Sequence, residues 1–165
     1  MSWLHNLKTF VAFAVGSILL IFLSCDIFDS NKNELLPLEG RFLVCAIDAE
    51  FPDSTVVYRK IKISIITEKT YPCANYDIRT KVSKHGNKIT IGLLYITVPE
   101  ICLTMLGPAN TELFFNLTEG KYSLNFYANE VTDKYELSVS DTTLKITEIE
   151  SRFTKQGSNC AVAVF

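Results

Sequence analysis

The sequence predicts an all-β fold: a single antiparallel β-sandwich of about eight strands, with a small closed barrel as the alternative. Three observations lead there. After residue 25, apolar residues recur at every second position over short segments. Those segments are rich in Val, Ile, Thr, Tyr and Phe, which suit a pleated, half-buried surface. Gly, Pro, Asn and Asp punctuate them at short intervals, and no amphipathic helix pattern follows the first 25 residues.

The chain opens on a leader. Residues 1–7 hold no acid, Lys8 is basic, and 10–23 is an apolar run relieved only by Gly16 and Ser17. That charge-then-apolar layout is a secretory signal. The run is shorter than the ~20 residues that span a bilayer as a helix. It ends in Leu23-Ser24-Cys25, with Asp26 next. This ending resembles the lipobox of bacterial lipoproteins, whose cysteine is acylated and becomes the first residue. Phe22 stands where that family usually has leucine. The resemblance implies a signal peptide over 1–24, lipidation at Cys25 and a membrane partner through the lipid. A plain signal peptide cut nearby and an uncleaved anchor are the competing readings. Asp26 matches a retention signal for the inner membrane that is not universal among bacteria. The lipidation reading sets the expected location as the bacterial envelope, at the outer membrane, facing the periplasm or the surface. Polar 25–36 reads as a tether, and 37–165 as the β-domain.

Without the leader, one domain's worth of chain remains, with a net charge of about −3. No Lys/Arg cluster appears, so nucleic acid is not an expected partner. Four cysteines follow Cys25: Cys45, Cys73, Cys102 and Cys160. An even number in an exported chain favours disulfides. There is no Cys-x-x-Cys and only one histidine in the mature chain, so neither metal nor cofactor is expected.

The strands follow in order. In 40–51, Leu43, Cys45, Ile47 and Phe51 share one face, and Asp48 and Glu50 the other. In 56–67, Ile61, Ile63 and Ile65 alternate with Lys60, Lys62 and Ser64. Residues 70–75 read as a connection. Segments 76–83 and 87–98 form a hairpin turning at His85-Gly86. Cys73 and Cys102 lie about equally far from that turn, so Cys73–Cys102 is the favoured pair. Cys45–Cys160 is the other possible pair, against two free thiols. Gly107-Pro108-Ala109-Asn110 reads as a loop and 112–117 as a short strand. Tyr122, Leu124, Phe126 and Ala128 alternate with Ser123, Asn125 and Tyr127. Strand 131–140 turns Tyr135, Leu137 and Val139 inward, 144–149 follows, and 160–165 is an edge strand or docked tail.

Leu117-Thr118-Glu119-Gly120-Lys121-Tyr122 adds a leucine, a glycine turn and a tyrosine opening a strand. This resembles the penultimate-strand entry of immunoglobulin-like and transthyretin-like modules. The likeness implies an immunoglobulin-like sandwich with Tyr122 as a tyrosine corner. The barrel alternative is lipocalin-like.

Chemistry-bearing motifs are sparse. His85 fits a solvated turn. Asp48, Glu50 and Asp53 read as a solvated face, as do Glu130, Asp133 and Glu136, although paired carboxylates also suit calcium or hydrolysis. Tyr58, Tyr95 and Tyr127 form the candidate binding surface, since outward aromatic rings stack on sugars or anchor proteins. The leading expectation is a non-catalytic, lipid-anchored envelope protein acting as a binding or structural module. A glycan or an envelope protein is the expected partner. The alternatives are a carrier of a small apolar ligand, suggested by Phe114, Phe115 and Phe126, and a small hydrolase using Asp48 and Glu50.

Overall fold

The computed structural model describes residues 34–49 and 58–157. They form an all-β domain of ten strands: β1 (Leu35–Leu36), β2 (Phe42–Asp48), β3 (Arg59–Tyr71), β4 (Asp77–His85), β5 (Lys88–Thr97), β6 (Gly107–Leu117), β7 (Gly120–Ala128), β8 (Val131–Val139), β9 (Leu144–Glu150) and β10 (Thr154–Gln156). The strands join in one sheet in the order β10-β2-β3-β6-β4-β5-β7-β8-β9, with β1 added to β5. The end strands β9 and β10 lie side by side, so the sheet is nearly closed and barrel-like.

The all-β expectation holds, but not the single antiparallel sandwich. Three pairings are parallel: β10 with β2, β4 with β6, and β5 with β7. Period-two alternation fixes which face a residue occupies; it says nothing about which strand lies alongside or in which direction. The tight turn between β6 and β7 suggests a hairpin, yet β7 pairs with β5 and β8 instead.

The core follows the alternation. Ile61, Ile63 and Ile65 of β3, Ile89 and Ile91 of β5, and Leu124 and Phe126 of β7 are sealed from solvent. Tyr135 and Leu137 of β8 join them, and the Phe126 and Tyr135 rings meet edge to face at 5.5 Å. Two corrections concern faces and bounds. On β2 it is Phe42 and Val44 that enter the core, which is the parity of Asp48 rather than of Leu43 and Ile47. The expected loop 107–110 is the start of β6, and β3 extends to pair Tyr71 with Gly107. Gly107 is required there: a Cβ would lie 2.8 Å from Ala74 Cα.

The β4–β5 hairpin closes through Gly86-Asn87, one residue later than expected, with His85 paired to Lys88 and Gly86 at φ 56°. A glycine at positive φ in the first loop position is the type II′ arrangement. Cys73 and Cys102 are joined by a disulfide. Cys45 is buried and disulfide-bonded, whereas Cys160 and the expected strand 160–165 lie outside the described residues. So do the leader, Cys25, Glu50 and Asp53. Leu35 and Leu36, expected in the tether, pair with Thr97 and Ile96.

Candidate functional site

The β4–β5 hairpin leans its turn over the beginning of β7. Asn87 accepts the Ser123 amide through its carbonyl at 2.8 Å, and its side-chain amide donates to the Lys121 carbonyl at 3.1 Å. Parallel pairing of Lys88 with Ser123 continues this contact. Between the hairpin tip and strands β7, β8 and β9 lies an open cleft of ≈ 460 Å³ lined by His85, Lys88, Lys121, Ser123, Glu136 and Ile149, among others. Lys121 Nζ bonds Glu136 Oε1 at 3.0 Å, so one cation is balanced within the cleft. The walls thus offer an imidazole, a hydroxyl, an ion pair and the ammonium of Lys88. Such a set suits a small hydroxyl-bearing or anionic group held by hydrogen bonds.

Tyr122 stands at the floor of the same cleft. It is buried, its hydroxyl donates to the Thr118 carbonyl at 3.0 Å, and Thr118 Oγ1 lies 3.1 Å away. The ring is tied back to backbone four residues upstream, with Lys84 Nζ 5.8 Å from its centroid. A cation over a ring face is attracted by its quadrupole.

The three tyrosines of the candidate surface are not brought together. Tyr58 is exposed at the β3/β6 end marked by the Arg59–Leu117 pair. Tyr95 is half-buried at the opposite end, opposite Arg79. Tyr127 is exposed on β7 beside Gly92. Of the aromatics expected inside, Phe126 is buried, but Phe114 faces solvent and Phe115 is half-buried.

Asp48 is engaged by Arg59: its Oδ1 accepts the Nε–H at 3.0 Å and its Oδ2 pairs with Nη2. Arg59 also donates to the carbonyls of Ser140 and Thr143, so the fork clamps β2 to the β8–β9 turn. Glu150 is held below the usual carboxylate range by hydrogen bonds from Arg152 and then Lys134. Among the described residues, no group of three or more His, Cys, Asp or Glu is placed to hold a metal ion.

The largest departure is Asp133, expected on a solvated hairpin surface. It is fully buried. Its Oδ1 accepts the Arg152 amide at 2.9 Å, and its Oδ2 accepts the amides of Phe153 and Thr154 and the Thr154 hydroxyl, at 3.0, 2.7 and 2.6 Å. Tyr135 Oη shares that hydroxyl at 2.9 Å. The carboxylate thus organises the turn joining β9 to β10, where the sheet nearly closes. The signal was available: Asp133 has the inward parity of Tyr135, Leu137 and Val139.

No protein-family model, curated protein or solved structure matches this chain.

Proposed function

We propose that this chain is an exported, lipid-anchored protein of a bacterial envelope, with its β-domain acting as a non-catalytic binding or structural module. The observation that carries the reading is the apolar run 10–23 ending in Leu23-Ser24-Cys25. The disulfide Cys73–Cys102 supports it, because such bonds persist in oxidising compartments. The acyl chains on Cys25 hold the protein at the outer membrane, and each buried CH₂ contributes ~0.8 kcal/mol. The cleft between the hairpin tip and β7 is the place for a glycan or a polar segment of an envelope protein. The Tyr122 corner is the feature shared with immunoglobulin-like and transthyretin-like modules, whose antiparallel sandwich the mixed, nearly closed sheet does not reproduce.

The test is metabolic labelling with a tagged fatty acid, followed by fractionation. Wild type takes up label and sediments with membranes. Cys25→Ala removes the label, and globomycin, which blocks signal-peptide removal after the thiol is acylated, leaves a labelled precursor that is longer by residues 1–24. Unchanged labelling of Cys25→Ala, with no longer precursor under globomycin, would rule out the anchor.

A further inference from the structure

The strongest unexplained surface is the loop 99–106 between β5 and β6. Ile101, Leu103, Met105 and Leu106 are 79, 57, 49 and 74% exposed, an apolar cluster out of proportion to the rest of the surface. The loop backbone is nevertheless fixed. Cys102 is bonded to Cys73. Asn75 holds the loop from below: its Nδ2 donates to the Ile101 carbonyl at 2.7 Å and its Oδ1 accepts the Leu103 amide at 3.2 Å. The Leu103 carbonyl accepts the amides of Ala74 and Met105. A pinned backbone with apolar side chains pointing out loses little further freedom when those side chains are buried.

The loop's position names what buries them. The described chain begins at Glu34, whose carbonyl accepts the Val98 amide at 3.1 Å, immediately before the loop. Leu35, also exposed, lies opposite Thr97. The tether therefore reaches the domain at the apolar loop. Only eight residues lie between Cys25 and Glu34, nine Cα–Cα steps in all. They span at most roughly 32 Å fully extended, and on average about half of that as a flexible chain. A lipid on Cys25 holds this end of the domain, and not the distant Tyr58 end, next to the bilayer.

We propose that Ile101, Leu103, Met105 and Leu106 insert into the membrane that holds the lipid anchor, making a second contact that fixes the domain's orientation. The inference rests on the lipid-anchor reading above. Glu100 within the loop and Glu34 at its edge are acidic. The loop itself offers no basic group to anionic headgroups, so its insertion is apolar and insensitive to salt.

The test uses the chain purified from bacterial membranes; Trp3, the one tryptophan, lies in the segment removed on acylation, and a Trp3→Phe background keeps any uncleaved chain free of tryptophan signal. Leu106→Trp and, as the far-end control, Tyr58→Trp are reconstituted in phosphatidylethanolamine/phosphatidylglycerol vesicles with brominated acyl chains. Mass spectrometry reports the lipid on Cys25 independently, and disulfide mapping confirms folding. In acylated chains, Leu106→Trp emission shifts to the blue and is quenched equally in low and high salt, while Tyr58→Trp is unaffected. Adding Ile101→Ser and Leu103→Ser lowers the docked-to-free ratio about tenfold or more. Solvent-like, unquenched emission from Leu106→Trp in acylated chains overturns the loop contact and leaves the anchor standing. A blue shift without bromine quenching, together with a dimer mass, also overturns it by assigning the loop to a second copy. Absence of lipid on Cys25 overturns the anchor reading, and with it the domain's orientation at the bilayer.

Discussion

At Asp133 a single carboxylate meets four donors from three consecutive residues, with no solvent to share the work. Hydrogen bonds to a buried charged acceptor are stronger than neutral ones, and unpairing the donors costs more than the bonds contribute. In Asp133→Asn one oxygen becomes an NH₂ that faces N–H groups. The expected loss is about 3 kcal/mol, or a Tm drop of order 10 °C, read by denaturant and thermal unfolding. Thr154→Val, which removes only the shared hydroxyl, should cost less than half as much. Tyr135 beside it sets an alkaline limit. Burial, above all, pushes its hydroxyl above the ordinary value of 10.0. A raised folded value leaves stability intact below the unfolded value and removes it as pH rises through the folded one. Unfolding midpoints should therefore be flat up to about pH 10 and fall beyond it. Tyrosinate absorbance should appear together with loss of the β-sheet signal; ionisation at constant fold would contradict the assignment.

At the scale of strands and turns, the β7–β8 connection Asn129-Glu130 holds both residues at positive φ, 46° and 67°. This is the left-handed turn that suits the twist of a two-residue hairpin. Asparagine tolerates it, whereas a glutamate there carries a steric cost of roughly 1–2 kcal/mol. Glu130→Gly should raise stability by about 0.5–1 kcal/mol, and Glu130→Val should lower it, both measured as unfolding midpoints. The elements themselves were largely legible in the sequence. Ile61, Ile63 and Ile65 announce β3, and His85-Gly86-Asn87 places the first hairpin to within one residue. Equal spacing of Cys73 and Cys102 about that hairpin suggested the pair that is bonded. Two things stayed hidden. Gly107 and Pro108 look like a loop, because the close approach to Ala74 that demands a glycine is a long-range fact. The partners of Asp133 are the other: its parity with Tyr135 turns it inward, but its donors come from 152–154, a segment with no pattern of its own. The cleft was equally illegible, since it depends on the parallel pairing of β5 with β7, which alternation does not encode.

Across the whole domain, the sheet is nearly closed by two unlike junctions. At one, the 151–153 turn folds back on Asp133, and Phe42 donates to the Phe153 carbonyl at 2.9 Å. At the other, β4 and β6 pair only at Asp77–Asn110 and then part. Antiparallel pairing through a two-residue loop makes His85 and Lys88 a hydrogen-bonded pair, and the bonded pairs then recur at every second position. On β4 the amides of His85, Ser83 and Lys81 therefore point to β5, and those of Lys84, Val82 and Thr80 point toward the opening. Lys81, Lys84 and the exposed Val82 line a strand that is otherwise an unprotected edge, and lysines discourage another strand from adding there. Native-state amide exchange resolves the two sets. Lys81 and Ser83 should be protected to a degree that approaches global stability, while Thr80 and Val82 exchange at rates near those of a free edge. Uniform protection along β4 would mean that β6 pairs with it throughout and that the sheet is a continuous barrel. Uniform exposure would mean that the β4–β5 hairpin itself opens, which would also dismantle the cleft at its tip.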